Sequence, residues 1–241
     1  MSDPFLSVVI PAFNEAERLP RTLDRLAAFL GGLGSGHEVV VVDDGSADNT
    51  GERARAAGAT VLRNERNRGK GHAVRRGMLE ARGQRRLMTD ADLSTPIEEL
   101  PRLLDKIDEG YDVVIGSRAL PGSRIEVHQG WFRENMGRLY NVFVRTLALP
   151  GLHDTQCGFK LWTAAAARDA FAAARLDGFS FDVEALYLAR KRGYRIAEVP
   201  IIWRNDAATR VSLGGGGAAF PDLLRIRLYD WMGRYDGGPG L

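Results

Sequence analysis

Apolar runs and helical stripes alternate without a break through the first half of this chain, and that alternation leaves few folds open to it. Residues 6–10 are a continuous apolar run, the mark of a strand buried on both faces. Leu19, Leu23, Leu26 and Leu30 follow at helical spacing, and Gly31-Gly32 stops the helix. The pattern then repeats: a strand over 38–42, a helix from about Asp48 to Gly58, a short strand over 60–62, and a helix carrying Val74, Met78 and Ala81. A fourth strand over 86–89 precedes a stripe of Ile97, Leu100, Leu104 and Ile107, and a fifth strand covers 112–115. Such alternation predicts an α/β fold, a mostly parallel sheet flanked by helices.

Ligands of parallel sheets gather where the strands end. Four strands here end in polar clusters: Asn14/Glu15, Asp43/Asp44, Asp90/Asp92 and Ser117/Arg118. Scattered loop polarity would not choose the same end each time.

Asp90 and Asp92 carry the most chemistry. Residues i and i+2 of an extended chain point the same way, about 7 Å apart, and where the strand turns two such carboxylates converge on one hard cation. Their oxygens suit Mg²⁺ or Mn²⁺, which also take oxygens from a diphosphate. Ser94 or Thr95 is expected to cap a helix starting near Pro96, with Glu98 and Glu99 in its first turn. An isolated Asp-x-Asp is an ordinary turn; its setting gives this one weight. Lys70, between Gly69 and Gly71 at a helix start, suits an anion, although a solvated lysine reads as well. Asp44-Gly45-Ser46 alone reads equally as a turn and cap.

The second half is less regular. Residues 121–130 read as a loop, and Phe132, Met136, Leu139, Phe143 and Leu147 as a helix stripe ended by Pro150-Gly151. A polar loop from His153 runs into a strand at Phe159, Leu161 and Trp162, followed by an Ala-rich helix and a helix over 181–192. Residues 195–203 read as one strand, 214–217 as a flexible hinge, and 237–240 as a disordered tail. Phe220, Leu223, Leu224, Leu228 and Trp231 make a last amphipathic helix to about Tyr235. Trp231 and Tyr235 beside Arg225, Arg227 and Arg234 suit a membrane headgroup boundary.

A net charge of +2 gives no case for nucleic-acid binding, and a single cysteine, Cys157, gives no intrachain disulfide framework and fits a reducing compartment. The start at Met1-Ser2-Asp3-Pro4 has no basic and apolar leader, and no stretch approaches the ~20 apolar residues of a span. With no linker or repeat, the 241 residues read as one domain, in two halves over about 5–118 and about 119–235. His37, His72, His128 and His153 lack metal-ligand spacing; neither a P-loop nor a G-x-G-x-x-G is present after the first strand.

The segments Val9-Ile10-Pro11-Ala12-Phe13-Asn14-Glu15, Val42-Asp43-Asp44-Gly45-Ser46, Asn67-Arg68-Gly69-Lys70-Gly71 and Thr89-Asp90-Ala91-Asp92, in that order, resemble the GT-A fold of family 2 glycosyltransferases. Within that family the chain is similar to the polyprenyl-phosphate sugar synthases. The stretch from Asp154 to Lys160 and Phe181-Asp182-Val183-Glu184 look closest to the dolichyl-phosphate glucosyltransferase branch. The resemblance implies a nucleotide-sugar site at Pro11, Ala12, Phe13, Glu15, Asp43, Asp44, Lys70, Asp90 and Ala91. It implies a metal, Mg²⁺ or Mn²⁺, at Asp90 and Asp92, with Asp92 ligating more directly. Ser94 stands where mannose-type relatives often carry Gln, which leaves a third side-chain ligand open. The implied acceptor, a polyprenyl phosphate, needs cations rather than a general base, because a phosphate monoester is already largely dianionic at pH 7. Residues 118–145 hold five Arg (118, 124, 133, 138, 145) against two Glu (126, 134). Arg118 and Arg133, with Arg204 or Arg210 behind them, are the acceptor-phosphate candidates. Asp182 stands where other members carry a catalytic base; it is either that base or an orienter of an Arg or Lys.

The expected activity is inverting transfer of glucose from UDP-glucose to polyprenyl phosphate by an enzyme attached to the cytoplasmic face of a membrane. Rival readings are a GDP-mannose donor, a hydroxyl acceptor with Asp182 as base, and a catalytically idle nucleotide-sugar-binding module. Intact Asp90, Asp92 and Arg118 argue against the last.

Overall fold

The computed structural model describes residues 3–127, 131–204 and 219–236. The apolar runs become β1 (Leu6–Ala12), β2 (His37–Asp43), β3 (Thr60–Arg63), β4 (Arg85–Met88), β5 (Val113–Ser117), β7 (Lys160–Thr163) and β8 (Ile196–Pro200) of one seven-stranded sheet, ordered β3-β2-β1-β4-β7-β5-β8. β1 pairs parallel with β2 and β4, β2 with β3, and β5 with β8. β7 alone among these described strands runs against its neighbours, β4 and β5. The carboxyl ends of β1, β2, β4 and β5 therefore share one edge. β7 starts at that same edge, its first residue Lys160 in register with both Met88 and Ile115. This reversal matters for function, because it delivers the loop before β7 to the ends of β4 and β5.

The helices are α1 (Leu19–Gly31), α2 (Thr50–Ala56), α3 (Lys70–Glu80), α4 (Leu100–Asp108), α5 (Trp131–Leu147), α6 (Ala164–Ala173), α7 (Phe181–Lys191) and α8 (Ala219–Trp231). The predicted stripe of α1 is buried through Leu19, Leu23, Leu26 and Leu30. α3 packs on β1 and β2, and Gly77 permits the approach: a Cβ there would lie 2.4 Å from Val9 Cγ1. Each fully buried aliphatic side chain of this core adds about 1.5–3 kcal/mol. α4 lies against β5, β7 and β8, and α6 against α3 and α7. Nearly every residue of α7 is buried, Asp182 and Glu184 included.

Several expectations need correction. Residues 124–127 form a strand, β6 (Arg124–Val127), inside the predicted loop. It pairs parallel with β9 (Ile202–Arg204) in a separate two-stranded sheet. The predicted strand over 195–203 is thus two strands: Ile196–Pro200 adds to the main sheet, and the chain leaves it at buried Ile201 to pair with β6. Neither Ser94 nor Thr95 caps a helix. The chain makes a 3-10 turn at Ile97–Glu99 before α4, with no side-chain cap at either start. α8 ends at Trp231, and Tyr235 beyond it is buried, so it does not share the exposed stripe. Its hydroxyl donates to Glu184 Oε1 (2.7 Å), and Asp230 of α8 accepts from Tyr187 and Lys191 of α7. The hinge over 214–217 and the tail over 237–240 lie outside the described residues.

Candidate active site

The turn after β4 is built by its neighbours as much as by itself. Thr89 N–H donates to Val9 O (3.0 Å), extending the β1–β4 pairing one residue into the loop. Thr22 of α1 donates its hydroxyl to Ala91 O (2.6 Å), and Arg204 N–H of β9 donates to Ser94 O (2.8 Å). Leu93 has a φ of 45°, a left-handed conformation uncommon for a residue with a β-carbon; its N–H donates to Asp90 O (3.2 Å). Ser94 N–H donates to Asp92 Oδ1 (2.9 Å). Ser94 therefore orients Asp92, in place of the helix-capping role expected of it.

Asp90 and Asp92 sit at the strand ends as expected. Asp90 Oδ1 is 2.6 Å from Lys70 Nζ, at the first residue of α3. Its other oxygen faces Gly158, where a Cβ would stand 2.0 Å from Oδ2 and 2.5 Å from Cγ. Only a glycine fits that cradle. Burial, and then the neighbouring Asp90, push the Asp92 carboxyl above its ordinary range. Arg18 Nη1 lies 3.9 Å from Asp92 Oδ2. Burial opposes the charge on Lys70, but Asp90, with Asp182 and Asp92 behind it, outweighs burial and raises the ammonium's pKa. An ammonium already lodged on Asp90, with a second, half-buried carboxyl two residues on, suits a cation site. Among the described residues no group of three or more His, Cys, Asp or Glu could hold a metal. Two carboxylates fit an ion that draws the rest of its shell from a ligand.

The loop before β7 supplies the remaining charge. Asp154, buried, takes Arg118 in a two-pronged pair, Nε to Oδ2 (2.7 Å) and Nη2 to Oδ1 (2.8 Å), and also accepts from the Arg118 N–H (2.9 Å). The guanidinium lies 5.4 Å over the Trp203 ring. Asp154 is held in turn by Glu198 of β8, which accepts from the N–H groups of His153 and Asp154 (both 2.8 Å). Two of the five Arg118 donors are thus engaged side-chain to side-chain, which positions the rest. Lys160, fully buried, pairs with Asp182 and donates to Cys157 O. Burial pushes the Asp182 carboxyl up, against the pull of Lys160 and Lys70. Of the two roles open to Asp182, orienting a lysine is the one the geometry displays. Cys157 touches Thr95 (3.8 Å), and burial together with Asp154 pushes its thiol up to about 11, so it stays a protonated packing group.

On the side of β4 away from β7, Pro11 and Ala12 close β1, and Phe13 is 42% exposed just beyond them. Glu15 N–H donates to Thr50 Oγ1 (2.8 Å), and its carboxylate lies 3.5 Å from Arg18 Nε. Asp43 has no exposed surface; Ser46 N–H (2.9 Å) and Arg63 Nη1 (3.0 Å) donate to it. Asp44, also buried, accepts from Asn64 Nδ2 (2.6 Å), Arg68 N–H (3.0 Å) and Gly69 N–H (2.8 Å). Both carboxylates, expected to meet the nucleotide, thus brace the loops at this edge of the sheet. Asp44 fixes the turn at Gly69, φ 103°, that presents Lys70.

Arg133 lies within α5, but its side chain is outside the described residues, as is Arg210 entirely. Arg204 is half exposed and paired with Glu126, and its main-chain bond to Ser94 is its one described link to the site. Sequence reasoning assigned no role to Asp154, Gly158, Lys160, Glu198 or Trp203. One signal was available: Lys160 is a charge inside an otherwise apolar strand run, which is rare without a partner.

The model of the family described as "Glycosyl transferase family 2" matches residues 7–171. The chain belongs to glycosyl transferase family 2. This glycosyltransferase is 36% identical over 247 residues to a dolichyl-phosphate beta-glucosyltransferase of Dictyostelium discoideum, covering 95% of this chain and 76% of that protein. It is 36% identical over 242 residues to one of Mus musculus, covering 92% and 75%. Its fold is the GT-A fold. A glucosyl-3-phosphoglycerate synthase of Mycobacterium tuberculosis in complex with UDP superposes with a TM-score of 0.69 at 22% identity, covering 97% of this chain and 80% of that one. The family expected from the four motifs is thus the family found.

Proposed function

We propose that this glycosyltransferase moves glucose from UDP-glucose to a polyprenyl phosphate, with inversion at the sugar. The observation that carries the phosphate acceptor is the Lys160–Asp182 pair. The carboxylate standing where a base would activate a hydroxyl is tied to a buried lysine, while Arg118 keeps N–H donors outside its two-pronged pair with Asp154. The dolichyl-phosphate beta-glucosyltransferases that align over nearly all of this chain support the sugar and the acceptor class.

In the proposed reaction an acceptor phosphate oxygen forms its bond to the anomeric carbon as that carbon's bond to the donor β-phosphate oxygen breaks. The electron pair leaves with UDP, and no proton has to be removed from a dianionic phosphate. Attack opposite the leaving group converts an α-linked donor to a β-linked product. Asp90 and Asp92 would hold a Mg²⁺ or Mn²⁺ ion, which when bound supplies positive charge for the departing diphosphate. Lys70, at the start of α3, reaches the diphosphate from the helix N-terminus. Arg118, held by Asp154 and Trp203, presents its remaining N–H donors to the acceptor phosphate.

We further propose attachment to the membrane surface that carries the acceptor. Among the described residues no helix is long and apolar enough to cross a membrane. α5 and α8 pack through edge-to-face contacts of Phe220 with Tyr140 (5.4 Å) and Phe143 (5.3 Å). Val142, Phe143 and Leu147 of α5 and Leu224, Leu228 and Trp231 of α8 nevertheless stay exposed, Trp231 at 85%. Such a large apolar surface suits a lipid boundary.

Incubating the protein with UDP-glucose, UDP-galactose or GDP-mannose, Mg²⁺ or Mn²⁺ and a short-chain polyprenyl phosphate tests the activity. Glucosyl lipid from UDP-glucose is the expected product. A mannosyl lipid, or no lipid product from any donor, contradicts the reading.

A further inference from the structure

Lys70 holds the atom that a metal ion would need. Asp90 Oδ2 faces Gly158 so closely that a Cβ there would lie 2.0 Å from it, against 3.0 Å from Oδ1, so Oδ1 is the oxygen more open to a cation, and Lys70 Nζ is 2.6 Å from it. The carboxylate cannot swing toward the loop to serve both, because Gly158 closes that side. Lys70 has a fixed root and a mobile tip: Asp44 pins the preceding N–H groups of Arg68 and Gly69, while four methylenes separate the ammonium from the backbone. It also stands at the first residue of an eleven-residue helix, whose N-terminal dipole favours a phosphate, although the His72 N–H of that turn is already given to Asp177 O (3.3 Å).

We infer that Lys70 is a stand-in cation that neutralises Asp90 until a divalent ion arrives and then transfers to the donor diphosphate, coupling ion binding to nucleotide binding. The inference rests on Asp90 and Asp92 being the ion's ligands. Without nucleotide, an incoming ion must break the Lys70–Asp90 contact and leave the ammonium unpaired beside a second positive charge. With nucleotide, the diphosphate receives the ammonium. Ion and nucleotide therefore raise each other's affinity by the same factor.

The test is a titration of Mn²⁺, followed by the EPR signal of the free ion, against the wild type, Lys70→Met, Lys70→Gln and Asp90→Asn, each with and without UDP. Circular dichroism and thermal unfolding identify which variants are folded. In a partly exposed site the lost competition is worth a factor of about five. Either folded Lys70 variant should therefore bind Mn²⁺ about fivefold more tightly than wild type without UDP, and UDP should strengthen Mn²⁺ binding less in it than in wild type. Unchanged or weaker nucleotide-free Mn²⁺ binding in these variants overturns the inference. Asp90→Asn separates the two levels of the argument. If it binds Mn²⁺ as the wild type does, the site assignment itself is wrong. If it loses Mn²⁺ while the Lys70 variants gain nothing, only the stand-in role is refuted.

Discussion

Replacing Gly158 with alanine adds a single methyl group against the Asp90 carboxylate. The backbone of Gly158 lies outside the left-handed region, so alanine meets no conformational penalty there. The whole effect falls on contact. The new Cβ would lie 2.0 Å from Asp90 Oδ2, and ordinary contact begins at 3.4 Å, so the oxygen must retreat by about 1.4 Å. A displacement of about 1 Å in a catalytic group costs roughly 100-fold in rate, or about 2.7 kcal/mol of transition-state stabilisation. Overpacking adds about 1–3 kcal/mol of lost stability. The assay is kcat/KM for glucosyl transfer from UDP-glucose to a short polyprenyl phosphate, with thermal unfolding measured alongside. Gly178→Ala is the control, because a Cβ there meets nothing within 4 Å; it should leave both quantities unchanged. A Gly158→Ala enzyme that keeps more than about a third of wild-type kcat/KM would refute the argument that Asp90's position is set by this wall.

Asp154→Asn should cost about 2–3 kcal/mol in denaturant unfolding, because Arg118 loses its charged partner. Burial alone would raise the Asp154 carboxyl, yet Arg118 outweighs it and holds the carboxyl below its ordinary 3.8. The stabilisation is therefore complete above that value and fades as pH falls through the lowered one, and the variant's stability should depend less on pH in this acid limb. Asp182→Leu alone strands the buried Lys160 and should destabilise by about 3–5 kcal/mol; the Lys160→Met, Asp182→Leu pair should recover most of that in the same measurement. Trp231→Ala with Leu224→Ser and Leu228→Ser should abolish flotation on anionic vesicles at low salt while leaving the melting temperature within a few degrees, since all three side chains are exposed. Unchanged flotation would mean that the α8 stripe does not contact lipid.

The alternation of strands and helices was legible because each element of the first half carries its own period, and so was the edge on which the polar clusters gather. Asp90 and Asp92 were legible for the same reason, as carboxylates at the end of an apolar run. What sequence reading missed is what depends on sheet order. β7 inserts between β4 and β5 from the second half of the chain and runs the other way. No local period records that insertion, yet it brings Gly158 onto Asp90, Asp154 onto Arg118 and Lys160 onto Asp182. The break at Ile201 was hidden because residues 196–204 keep a strand's character on both sides of it, and only the partner changes. Composition also could not show that Asp43 and Asp44 are buried among bracing bonds, because it does not distinguish a carboxylate facing outward from one folded under the chain. Tyr235 was misplaced similarly: its aromatic character suits a headgroup boundary and a buried bond to Glu184 equally well.

In the proposed reaction a phosphate oxygen of a lipid acceptor displaces UDP from glucose in one inverting step at the Asp90–Asp92 edge of the sheet. NMR of the product formed from UDP-glucose labelled with ¹³C at the anomeric carbon, with short polyprenyl phosphate as acceptor, tests it directly. The expected spectrum shows one β-anomeric carbon coupled to a single phosphorus, formed by the wild type and not by Asp92→Asn. An α-linked product, glucose attached to a hydroxyl, or full turnover by Asp92→Asn would contradict it.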